Sequence, residues 1–127
     1  RRVLEPEMAY IAATTATDDD IAQIKTAYDG MEKATNAEEF MQPDIEFHLA
    51  IAKATHNDLL AYMSKMLVLP LQQSIKLTSL RPNLQTHSLP RHKAILTAIE
   101  NKDPLSARLA SLVQLDDTNV AYTLIKK

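Results

Sequence analysis

Cysteine is missing from this chain, so neither a disulfide framework nor a thiolate metal site is open to it. Tryptophan is missing too, and one glycine, Gly30, serves all 127 residues. A loop-rich or all-β design would need glycine at its turns, so its scarcity points to helices. No apolar run approaches the roughly 20 residues that cross a bilayer, and no signal-peptide pattern opens the chain. Charge is close to balanced, with 14 Lys and Arg against 16 Asp and Glu for a net −2. With no basic stripe and no aromatic platform, direct nucleic-acid binding by this stretch is not expected. These absences leave a soluble, cytoplasmic, helical domain of a size that buries one core. The chain begins at Arg1 rather than methionine, and we therefore expect a piece of a longer protein.

The apolar periodicity divides the chain into six helical segments. Leu4, Met8 and Ile11 carry the first through about Thr14, with Pro6 tolerable near its start. Thr17 followed by Asp18, Asp19 and Asp20 is a hydroxyl cap with acids in the first turn, and Ile21, Ile24, Tyr28 and Met31 form the stripe behind it. The third segment starts near Ala37 or Glu38, includes Pro43, and carries Phe40, Asp44, Phe47, His48 and Ile51. Asn57 caps a long fourth segment running from Leu59 past Pro70, where a kink is expected, to Ile75 or Leu77. Arg81 to Leu89 reads as a loop. His92, Ile95, Leu96 and Ile99 share the stripe of the fifth segment. Asp103 caps the sixth, with Pro104 at its first position, and that segment runs to about Ile125. Short connections favour antiparallel neighbours, so the fold class is an all-α, antiparallel six-helix bundle.

Within that plan Asp44 and His48, four residues apart, lie one turn apart on a face flanked by Phe47 and Ile51. A carboxylate and an imidazole facing inward must be paired, hydrogen-bonded or bound to a cation. His92 shares an apolar stripe and should also face inward. One Asp and two His leave open positions on a nitrogen- and oxygen-preferring metal. A structural hydrogen-bonded pair of Asp44 and His48 is the plainer alternative. Spacing does not say whether the third and fifth segments are neighbours.

The ordered set Arg1-Arg2-Val3-Leu4-Glu5-Pro6, Ile11-Ala12-Ala13, Asp44-x-x-Phe47-His48, Ala54-x-x-Asn57, His92-Lys93-Ala94-Ile95-Leu96 with Ala98-Ile99, and Lys102-Asp103 with Ala107 resembles the C-terminal ligand-binding (FCD) domain of GntR-family transcription regulators of the FadR subfamily. The resemblance implies a dimerising effector-binding domain over residues 1–127, a small carboxylic-acid effector, and DNA binding only through an N-terminal winged helix-turn-helix that this stretch lacks. It implies no catalysis. It also implies either a divalent metal, zinc or nickel, on Asp44, His48 and His92, or, as in members without the metal, a polar pocket in which these residues hydrogen-bond the effector. The family's third histidine falls at Gln114, a neutral and weaker ligand, and Arg91 stands where Glu is common. Arg1, Asn57 and Arg81 are the expected effector contacts. Two alternatives are weighed beside this sensor. A helical metalloenzyme could use the Asp/His/His set to activate water, although no Glu-x-x-His or His-Glu-x-x-His pattern occurs. A dimerisation module with a vestigial pocket would more naturally have filled its interior with apolar side chains.

Overall fold

The computed structural model describes residues 1–67 and 84–126, with side chains from residue 87 onward in the fifth helix and up to residue 116 in the last. Among the described residues there are six helices and no strands: α1 Glu5–Thr15, α2 Asp18–Lys33, α3 Ala37–Ala54, α4 Asp58–Met66, α5 Leu84–Glu100 and α6 Pro104–Lys126. No helix among the described residues is long and apolar enough to cross a membrane.

Local chemistry sets the helix starts. Thr17 and Asp20 close a reciprocal capping box, the Thr17 hydroxyl accepting from the Asp20 N–H at 3.1 Å and Asp20 Oδ2 from the Thr17 N–H at 2.9 Å. Asn36 caps α3 and Asn57 caps α4 through their side-chain oxygens. Asp103 caps α6, accepting from the Ser106 N–H at 3.2 Å, directly before Pro104. Pro43 lies inside α3 and faces Gly30 of α2. A Cβ on Gly30 would sit 3.1 Å from the Pro43 ring carbons, so the missing side chain lets α2 and α3 approach one another one residue before Asp44.

The core lies where α2 packs on α3 and α5, while α1 and α5 pack on α6. Its largest fully buried side chains include Phe40, Phe47, Ile24, Met31, Ile95, Leu96 and Ile99. The first helix differs from its apolar pattern: Ile11 is only partly covered, and the buried positions are Pro6 and Met8 with Ala9, Ala12 and Ala13. Small residues let α1 lie close to its neighbours, and hydrophobicity alone does not report that.

Two further differences concern the middle of the chain. The fourth helix ends at Met66, and Pro70, Leu71, Ile75 and Leu77 of its expected continuation lie outside the described residues. On this helix Met66 is exposed along with Leu59 and Tyr62, while Met63 is half-buried. The expected loop from Arg81 to Leu89 is helical from Leu84 onward, with Pro90 inside α5. Leu89 packs against the core, and tertiary burial of this kind overrides residues that discourage a helix.

Candidate functional site

Asp44 and His48 stand one turn apart on α3, and α5 brings His92 against them from a sequence distance of 48 residues. Asp44 Oδ1 lies 2.9 Å from His92 Nε2 and 3.1 Å from His48 Nε2, and one possible ligand atom from each residue falls within 4.8 Å of the others. The three side chains are 7%, 8% and 0% exposed for Asp44, His48 and His92. Phe47 walls the cluster, its ring edge-on to both imidazoles at 5.6 Å and 5.1 Å, and Phe40 meets His92 at 6.3 Å. The geometric condition that the sequence left open, convergence of the third and fifth helices, is met.

The protonation pattern follows from the partners. His92 Nδ1 lies 2.9 Å from the Ser88 carbonyl oxygen, and a carbonyl can only accept, so Nδ1 carries the proton and donates it. His92 Nε2, on the other side of the ring, hydrogen-bonds with Asp44 Oδ1 at 2.9 Å. His48 Nε2 is buried and makes no hydrogen bond among the described residues, although Asp44 Oδ1 is within 3.1 Å. Burial opposes the charged form of every group here. Against that, the His92 and His48 rings hold the Asp44 carboxyl well below its usual range, while Asp44 and Glu5 push His48 up to about 9. The cluster is therefore a negative oxygen and two ring nitrogens that demand positive charge between them, supplied either by protons or by a cation.

The residues present fit a divalent ion. Asp44, His48 and His92 offer one carboxylate oxygen and two ring nitrogens within 4.8 Å of one another, a donor set that a nitrogen- and oxygen-preferring divalent ion would accept. The orphaned Nε2 of His48 and the carbonyl-bonded Nδ1 of His92 are what such a site requires of its histidines.

The other expected residues are distributed differently. Gln114 is buried on α6, on the same face as buried Ser111, which borders a cavity of about 10 Å³ together with Glu5, Met8, His48, Ile51 and Ile95. That space is the size of one water or ion. Arg1 is committed to Glu5, its Nε donating to Oε2 at 2.5 Å. Asn57 is exposed and caps α4, past the end of α3, whose last residue Ala54 lies about 9 Å of helix rise beyond His48. Arg81 lies outside the described residues. The sequence reading assigned Glu5 no role, yet its Oε1 lies 3.1 Å from His48 Nδ1, and its side chain is only 12% exposed. Burial raises the Glu5 carboxyl, but His48 and Arg1 outweigh it and hold the group at about 2. The available signal was an acid one turn after an arginine at the head of an amphipathic helix, and that pattern is too common to single it out.

The FCD domain family model matches residues 1–117. The chain is 31% identical over 118 residues to the galactonate operon transcriptional repressor of Escherichia coli (strain K12), covering 91% of this chain and 51% of that protein. It is 35% identical over 141 residues to the Uxu operon transcriptional regulator of the same strain, covering 99% and 51%. Among solved structures, Streptococcus agalactiae GntR superposes with a TM-score of 0.78 at 26% identity, covering 97% of this chain and 55% of that one. This chain thus spans about half the length of the curated relatives it matches. Those relatives are regulators by name, which agrees with a regulatory rather than a catalytic domain. By its family-model match, its helical architecture and these relatives, the chain belongs to the FCD domain family, the family of GntR-type transcription regulators.

Proposed function

We propose that residues 1–127 are the effector-sensing and dimerisation domain of a DNA-binding transcription regulator, in which a divalent metal helps to hold a small organic acid. The observation that carries this reading is the buried convergence of Asp44, His48 and His92, with the His48 Nε2 lacking a hydrogen bond among the described residues. Asp44 supplies the negative charge, the two imidazoles supply neutral nitrogen ligands, and Gln114 is the fourth, weaker group from α6. A bound zinc- or nickel-class ion would supply a positive anchor for an effector carboxylate. Galactonate, a carboxylic acid, stands in the name of one relative, which supports that ligand class here. Asn57 and Arg81 stay in the proposal as effector contacts. Arg1 reaches an effector only by leaving Glu5.

DNA reading belongs to the remaining length that the relatives have and this stretch does not, and a cytoplasmic location follows from that role. The homodimer belongs to the same reading. Leu105, Leu109 and Val113 make an exposed apolar stripe along α6, a feature that supports burial in an assembly. An effector changes DNA binding only to the extent that it prefers one dimer arrangement over another.

Elemental analysis of protein purified without chelator or metal-affinity tag tests the metal, with about one ion per chain expected. A thermal-shift series with small carboxylic acids tests the effector, since a ligand of the folded state raises the melting temperature with concentration. Absence of both metal and any concentration-dependent shift would overturn the proposal.

A further inference from the structure

The two imidazoles of the cluster are supported in different ways. His92 donates from Nδ1 to a carbonyl of its own helix, a partner fixed by the backbone of α5. His48 has its Nδ1 against Glu5, a side chain from another helix, in the first turn of α1. Glu5 in turn is gripped by Arg1, whose Nε and Nη2 reach its two carboxylate oxygens at 2.5 Å and 3.5 Å. The same turn is closed by the Glu5 N–H donating to the Arg1 carbonyl at 2.9 Å.

An ionised carboxylate can only accept, so a glutamate at 3.1 Å calls for a proton on His48 Nδ1. The Nε2 side of the ring is thereby turned to where Asp44 and His92 converge, and a cation bound there would take the place of its proton. Ring orientation, tautomer and basicity of the nitrogen are all set from the far side of the ring, as outer-shell carboxylates do for metal-bound histidines. Arg1 adds two constraints. Its planar fork holds the Glu5 rotamer, and its charge keeps a largely buried carboxylate from being uncompensated.

We propose that Glu5, held by Arg1, is a positioning residue for the Asp44–His48–His92 cluster, acting through His48 and tying the first turn of α1 to α3. The proposal rests on the cation-site reading above and adds to it a residue that the three-ligand set omits.

The test uses Zn2+ alone as the probe, titrated by competition with a chromophoric chelator into the wild-type chain and into Glu5→Ala, Glu5→Gln, Arg1→Met and Glu7→Ala. Glu7 is the control: it lies on the same helix but pairs with Arg108 at the surface. Glu5→Ala should lower Zn2+ affinity about 10- to 100-fold, as for other outer-shell partners, with Glu5→Gln and Arg1→Met in between. Glu7→Ala should stay within about twofold of wild type. Circular dichroism checks folding, and the isosteric Glu5→Gln carries the comparison should the alanine variant unfold.

Nitrogen-15 imidazole spectra supply the second readout. The wild type should show a protected His48 Nδ1–H, lost or sharply shifted in Glu5→Ala, with Zn2+ on Nε2. Equal affinity across the wild type and both Glu5 variants, or Zn2+ on Nδ1 of His48, would overturn the brace and leave the metal reading standing. No Zn2+ uptake by the wild type would overturn the metal reading instead. The Nδ1–H signal of metal-free protein then decides the brace, an unchanged signal in Glu5→Ala being the contrary result.

Discussion

Among the described residues two aspartate–histidine arrangements occur, and they differ in how far their histidines are buried. Asp20 and His56 meet at 2.6 Å where the α3–α4 corner touches the start of α2, with the His56 side chain 52% exposed. Asp20 has backbone work as well, accepting from the Thr17 N–H in the capping box; burial raises its carboxyl, but that contact and His56 outweigh it and hold the group below the usual range. His56 adopts a left-handed backbone at φ 55°, ending the turn after α3. Water reaches His56 while the nearly buried Asp20 is also satisfied by a backbone N–H, so this pair is a clip between a corner and a helix start. Asp44 sits in the middle of α3, where the neighbouring N–H groups are already used by the helix, and it is answered by imidazoles. The same two residue types give a structural fastener where solvent and backbone share the load, and a charged chamber with ligand-like geometry where they do not.

Substitutions can separate the two arrangements. The largest effect is expected for Asp44→Ala, which leaves two buried imidazoles facing one another without a carboxylate. Bound metal should fall from about one ion per chain to near none, and stability should drop by about 3 kcal/mol, the scale for breaking a buried pair. Elemental analysis and denaturant melts measure both. A variant that kept its metal would show that the chamber is not the binding site.

His48→Ala should remove most of the bound metal and weaken the thermal shift produced by organic acids, with folding retained. Unchanged metal content in that variant would remove His48 from the ligand set. Gln114→His is the gain-of-function arm: replacing an amide by an imidazole should raise Zn2+ affinity by at least about tenfold, given that each 1.4 kcal/mol is a factor of ten. A titration without gain would mean that α6 does not reach the cluster.

Asp20→Asn should be the mildest of the four, costing about 1 kcal/mol through the cap and leaving metal content untouched. Its pH dependence has a definite sign. The folded-state pKa of Asp20 is lowered from 3.8, so its contribution is present above pH 3.8 and is lost as pH falls through the folded value. Melts of the wild type and Asp20→Asn should therefore differ at neutral pH and converge in acid. A gap that persists in acid would show that the carboxylate charge is not what the corner uses.

Much of the local design was legible beforehand because it depends on neighbours in the chain. Thr17, Asn57 and Asp103 act as caps because an oxygen one to three residues ahead of free N–H groups works wherever the helix lies. The stripe His92, Ile95, Leu96 and Ile99 is buried as its period requires. Period failed where the neighbour was unusual. Ile11 was outcompeted by alanines that permit close packing, and Leu84–Leu89 became helical despite Ser88 and Pro90. At the site, the Asp44–His48 face was readable from spacing on one helix. Glu5 was not, because its partner lies on another helix and an acid one turn after an arginine is too common a pattern to mark it.

The residue order by itself determined a cysteine-free helical bundle, the points at which helices start, and an inward face carrying Asp44 and His48. These are matters of turn geometry and of hydrogen bonds closed within a few residues. Only the packing of α1, α3 and α5 decided that His92 would close on Asp44 while Arg1 and Glu5 brace His48 from behind. Contacts of that kind depend on which helix faces are pressed together when the apolar stripes are buried, and the spacing within any one helix is silent about its neighbours.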